Sequence, residues 1–230
     1  MANGEATVAE LFAAIRKGDE AVVERLLEKD PRLIEAKDES GLSPLLAALY
    51  RGQTEIAEGI LGRRPTLTIF EATAAGDLRR TRELVEADRP AANATSPDGF
   101  SPLGLAAFFK RRDVVRYLLE RGADPAPASR QGGFTPLHSA VATDAGTCDI
   151  EIVRALLESG ADPNVRSQSG GTPLHTAAFT GDLEVARLLL ARGAEPGVKN
   201  RDGKTALDIA RERGHTAVAR LLEERPRGSS

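Results

Sequence analysis

The sequence predicts an all-α fold: a solenoid of about seven stacked helix–turn–helix units. Three observations predict it. A unit of about 33 residues recurs along the chain. Each copy holds a short apolar helix followed by a longer amphipathic one, and glycine closes both. Small residues, such as Ala106-Ala107 and Ala177-Ala178, recur on the short helices and allow close approach.

The clearest copy runs from Gly171 to Ala194. Thr172 can cap the first helix, and Pro173 suits the first helical position, where no backbone N–H is needed. Gly181 ends that helix, Asp182 caps the next, and Gly193 ends the second. Counted from Thr172, corresponding residues are Ala9, Ser43, Leu67, Ser101, Thr135 and Thr205, spaced 34, 24, 34, 34, 37 and 33 apart. Thr-Pro-Leu-His stands unaltered at 135–138 and 172–175, with variants at 43–46, 101–104 and 205–208. Gly-Ala-Asp closes units at 122–124 and 160–162.

These motifs, in register over residues 7 to 223, resemble the ankyrin repeat. The overall composition resembles stand-alone bacterial proteins of that family. The resemblance implies short β-hairpin-like fingers between units and a single domain, 1–230. The repeats fall at approximately 7–42, 43–66, 67–100, 101–134, 135–171, 172–204 and 205–224, with a disordered tail at 225–230. Burying each large apolar side chain contributes about 1.5–3 kcal/mol. Ordering each backbone costs roughly 1–2 kcal/mol. A single unit therefore cannot stand alone, and stability must come from stacking.

The copies differ in informative ways. Thr7 and Glu10 form a capping box at the first. Phe12 and Phe70 stand where His175 stands and read as space-fillers. The step from Ser43 to Leu67 lacks about ten residues, which predicts a missing or stunted finger and a notch beside Tyr50. Repeat five carries extra residues around Thr143–Asp149. Gly132-Gly133 and Gly170-Gly171 read as finger turns needing positive φ.

Composition narrows the functional classes. Lys and Arg total 31 against 34 Asp and Glu, a net charge of −3. The charges are mixed throughout, which gives no reason to expect nucleic acid or anionic lipid. The basic groups at 63–64, 79–80 and 110–112 read as solvated surface. The one cysteine, Cys148, rules out an internal disulfide, and its acidic neighbours oppose reactivity. No signal peptide, membrane span, phosphate loop, metal cluster or catalytic constellation is visible. His138 and His175 read as structural. A cytoplasmic, monomeric, non-catalytic protein without cofactor is expected.

The resemblance also implies where a partner would bind. In this family, residues just before the Thr-Pro step and at the ends of the short helices face the concave side. Those positions hold Leu42, Tyr50, Arg51, Phe100, Phe108, Phe109, Phe134 and Phe179, six of the chain's nine aromatic residues among them. Such clustering points to an interaction surface for a protein or peptide, because aromatic and Arg side chains dominate interface hot spots. Alanine at Tyr50, Phe108 and Phe109 together is expected to abolish capture and leave helical content intact. The alternatives are a regulatory subunit or inhibitor of a partner enzyme, and an enzyme or small-ligand binder using the notch or the repeat-five loop.

Overall fold

The computed structural model describes residues 7–63, 66–130, 132–142 and 148–224. Among them run fourteen α-helices and no strand. They are α1 (Val8–Lys17), α2 (Glu20–Lys29), α3 (Pro44–Tyr50), α4 (Thr54–Arg63), α5 (Ile69–Ala75), α6 (Leu78–Ala87) and α7 (Pro102–Phe108), followed by α8 (Arg112–Glu120), α9 (Pro136–Val141), α10 (Ile150–Glu158), α11 (Pro173–Thr180), α12 (Leu183–Ala191), α13 (Ala206–Glu212) and α14 (Thr216–Glu224). Odd-numbered helices stack into one layer and even-numbered helices into a second.

Hydroxyl caps start the odd-numbered helices. Ser43 and Ser101 accept from the N–H of Leu46 and Gly104. Capping boxes open α1 and α5. The first is the Thr7–Glu10 box expected from sequence. The second, Thr68 with Glu71, shifts the start of α5 by one residue from the aligned Leu67. Only the glycine at the far end keeps a fixed position, so α1 gains residues at its start. Phe12 is buried and Phe70 partly buried against the core, which leaves both as space-fillers.

His138 and His175 join neighbouring repeats. The N–H of Thr135 and of Thr172 donates to the histidine Nδ1, at 3.4 and 3.1 Å. Each Nε2–H can then donate forward, to the carbonyls of Gly171 (3.3 Å) and Lys204 (3.1 Å). Burial pushes both imidazoles below their ordinary range. A base depressed in the folded state takes up a proton on unfolding, so this stability is complete above the unfolded value of about 6.5 and falls as pH drops below it. Urea midpoints should fall between about pH 7.5 and 5.5. That fall should flatten when both histidines are replaced by glutamine; an unchanged slope in the double variant would contradict the assignment.

The fingers are hairpin-like but too short for a ladder. A backbone N–H at the base of each donates across it: Asp38 to Leu42 (3.0 Å), Ser96 to Phe100 (2.9 Å), Ser129 to Phe134 (2.9 Å), Ser167 to Gly171 (2.8 Å) and Asn200 to Lys204 (2.9 Å). Gly132, Gly133 and Gly170 take positive φ as expected, whereas Gly171 does not. The repeat-five insertion, at 143–147, and the tail, 225–230, lie outside the described residues.

Glycine with positive φ follows most of the odd-numbered helices, at 18, 52, 76, 181 and 214. After α7 the position belongs to Lys110, at φ 57°, the one non-glycine residue with positive φ among those described. A side chain there costs about 1–2 kcal/mol. Lys110→Gly should therefore raise stability by about 1 kcal/mol, less the entropy glycine gains when unfolded. A lowered melting temperature would show that Lys110 makes compensating contacts.

The stack has a seam. Five residues separate α4 from α5, against fourteen between α6 and α7 or between α12 and α13. Even-numbered helices pack side by side elsewhere, yet α4 and α6 barely touch. The core divides accordingly. One cluster runs from Leu11 to Ala72 and another from Ile69 to Leu222. A small third cluster of Leu46, Ala74 and Leu105 joins them through the odd-numbered layer, and Leu84 of α6 packs against both larger clusters.

Candidate functional site

The missing finger determines how the site is built. With only five residues between α4 and α5, the finger of Asp38–Leu42 meets that of Ser96–Phe100. A Cβ on Gly41 would stand 2.9 Å from Pro97 Cβ, so these loops are in contact. Tyr50, at the end of α3, donates its hydroxyl to Asp98 Oδ2 at 2.7 Å, spanning repeat three. Asp98 is itself held by the Ser96 hydroxyl. Burial, and then the Asp98 carboxylate, push the Tyr50 hydroxyl far above its ordinary pKa, so it remains a donor.

Three rings meet at this point. Tyr50 lies 5.2 Å from Phe109 and 5.8 Å from Phe108 between centroids, and the two phenylalanines meet edge to face at 5.0 Å. These are favourable aromatic geometries. Leu42, Tyr50, Phe100 and Phe109 rest on the third cluster. Leu42, Tyr50, Phe100, Phe108 and Phe109 are each half-buried. Much of the space beside Tyr50 is thus taken by Phe108, Phe109 and the Asp98 finger. The remaining opening lies on the other side of Tyr50, towards repeat one.

Two predicted residues stand clear of this group. Phe134 is 42% exposed, seated over Gly132 and edge-on to His138 at 5.9 Å. Phe179 is 51% exposed, with the Arg213 guanidinium 3.6 Å above its ring. Arg51 is exposed at the end of α3. Sequence reasoning missed Asp98, Arg213 and the wall that Phe12, Ile15 and Arg16 give to the opening beside Tyr50. Asp98 meets Tyr50, and Arg213 meets Phe179, from distant parts of the chain, and the wall comes from the neighbouring repeat, so no local pattern marks them.

Other candidates have structural partners. Arg111 donates to the Ala74 carbonyl at 2.8 Å and Arg112 pairs with Asp149, so this basic run ties repeats three, four and five together. Cys148 donates to the Ala140 carbonyl, and burial with Asp182 and Asp149 raises its thiol pKa to about 12. Among the described residues no group of three or more His, Cys, Asp or Glu side chains could hold a metal ion, and no helix is long and apolar enough to cross a membrane.

Comparison with known proteins agrees with this architecture. The family model "Ankyrin repeats (3 copies)" matches residues 69–167 and 142–228, and "Ankyrin repeats (many copies)" matches residues 11–58. The chain belongs to the ankyrin-repeat family, whose repeats generally mediate protein–protein interaction. It is 36% identical over 112 residues to neurogenic locus notch homolog protein 4 of Homo sapiens, covering 49% of this chain and 5% of that protein. It is 30% identical over 111 residues to alpha-latrocrustotoxin-Lt1a of Latrodectus tredecimguttatus, covering 45% and 8%. Palmitoyltransferase Hip14 of Drosophila melanogaster is 39% identical over 72 residues, 31% of this chain and 11% of the enzyme. The matches thus span only about a tenth or less of these relatives' length.

Proposed function

We propose that this protein is a non-catalytic binding module that holds a partner protein or peptide on the face bearing Tyr50, Phe108, Phe109, Phe134 and Phe179. The observation that carries the reading is the ring group at Tyr50, Phe108 and Phe109. It lies outside both main cores, is half-buried, and has the more exposed Phe134 and Phe179 on later repeats. Large apolar groups left at a surface in this way mark interaction sites. A monomer in the cytoplasm is part of the same proposal, supported by the single, half-buried thiol.

The half-burial of Tyr50, Phe108 and Phe109 changes the test. Alanine at all three would remove packing that joins the two cores, so lost capture would not separate binding from folding. Phe134 and Phe179 are better probes. The Phe134→Ser/Phe179→Ser variant should keep its circular dichroism and melting temperature. It should lose about tenfold or more in capture of crosslinked partners from the source cell. Undiminished capture would reject this face.

A further inference from the structure

Between repeats one and two, on the side that carries Tyr50, lies an open depression of about 390 Å³. This falls within the ~300–1,000 Å³ range of ligand clefts. Leu42 and Tyr50 make its half-buried apolar wall, over a floor of the buried Phe12, Ile15 and Ala47. Arg16 and Arg51 also line it, as does one carboxylate, Asp38.

The charges there are unequal in standing. Asp38 is fixed in its own finger through Oδ1, which accepts from the N–H of Ser40 (2.9 Å), the Ser40 hydroxyl (2.6 Å) and the N–H of Leu42 (3.0 Å). Arg16 and Arg51 form no ion pair among the described residues. Several arginines of the even-numbered helices do pair. Arg63 pairs with Glu24, Arg112 with Asp149, Arg154 with Glu151 and Arg187 with Glu184. Arg16 sits in the last turn of α1, where the helix dipole welcomes a cation, but that leaves its donors unused. An apolar recess between two uncommitted guanidinium groups matches an apolar side chain flanked by carboxylates.

We propose that this depression anchors an acidic peptide segment of the partner. One apolar side chain rests on Leu42 and Tyr50, and neighbouring carboxylates pair with Arg16 and Arg51. The proposal rests on the protein-binding reading and names the chemistry of what is bound.

The test is selection of a phage-displayed random peptide library on the full chain. The enriched peptides should share one Phe, Leu or Met with Asp or Glu beside it. A synthetic copy should bind less tightly as salt rises. It should lose about tenfold or more on the Arg16→Gln/Arg51→Gln protein. The Arg154→Gln/Arg187→Gln protein should bind it as wild type does. No enrichment, enrichment without acidic residues, or binding indifferent to the Arg16/Arg51 change would each overturn the proposal. If any of these occurs while the Phe134/Phe179 variant still loses partner capture, this inference fails and the wider reading stands. If capture is also unaffected in that variant, both fail.

Discussion

Leu45→Ala should loosen the first four helices and leave the remainder of the stack protected. Leu137→Ala should loosen the long segment from α5 to α14 instead. Both side chains are fully buried, and each truncation should cost about 2–5 kcal/mol. The difference lies in which cluster loses its packing. Leu45 belongs to the cluster that runs from Leu11 to Ala72, and Leu137 to the one that runs from Ile69 to Leu222. In repeat arrays, stability is roughly a sum of unit and neighbour contributions, so a weak interface separates cooperative blocks. Here the weak interface is between repeats two and three, where α4 and α6 barely touch. Hydrogen exchange read by mass spectrometry distinguishes the cases. Uniform loss of protection in both variants would mean that the Leu46–Ala74–Leu105 cluster and the Tyr50 rings couple the halves fully.

Gly99→Ala should be far more damaging than Gly122→Ala, although the two glycines have nearly the same backbone. Their φ values are 88° and 83°. Any side chain in that region costs about 1–2 kcal/mol. Around Gly122 a new Cβ meets open space, so that strain is the main cost. At Gly99 it would stand 2.5 Å from the backbone nitrogen of Arg130 and 2.7 Å from Arg130 Cβ. Backbone cannot swing aside as a side-chain tip can, so the finger must shift, adding about 1–3 kcal/mol. The shift would also carry Asp98 away from Tyr50. Urea unfolding should place Gly99→Ala about 2 kcal/mol below Gly122→Ala, with altered NMR shifts of the Phe108 and Phe109 rings in the former alone. Equal losses would indicate that neighbouring fingers slide freely.

The repeat architecture was legible because a glycine with positive φ follows most of the short helices, and that position recurs at a nearly fixed interval. The helix starts were less legible. A threonine with a glutamate three residues on can cap off the common register. The Thr7–Glu10 box could be read, whereas Thr68 with Glu71, one residue past the aligned Leu67, was not. The missing finger could be counted from the spacing. Its consequence could not, because contact between Gly41 and Pro97 and the Tyr50–Asp98 bond join residues about fifty positions apart. The strained Lys110 was visible in principle, as a lysine in a column of glycines. Arg111 and Arg112 read as solvated charge because only the folded chain brings Ala74 and Asp149 to them. The depression beside Tyr50 needed Phe12 and Ile15 from another repeat, and no motif announces it.

The central claim is that the partner sits on the face bearing the aromatic rings. A photo-crosslinking benzoylphenylalanine placed at Phe179, and separately at Arg154 on α10, tests this most directly. The account predicts a partner adduct from position 179 and none from position 154. An adduct from position 154 alone would place the partner on the long helices and contradict it.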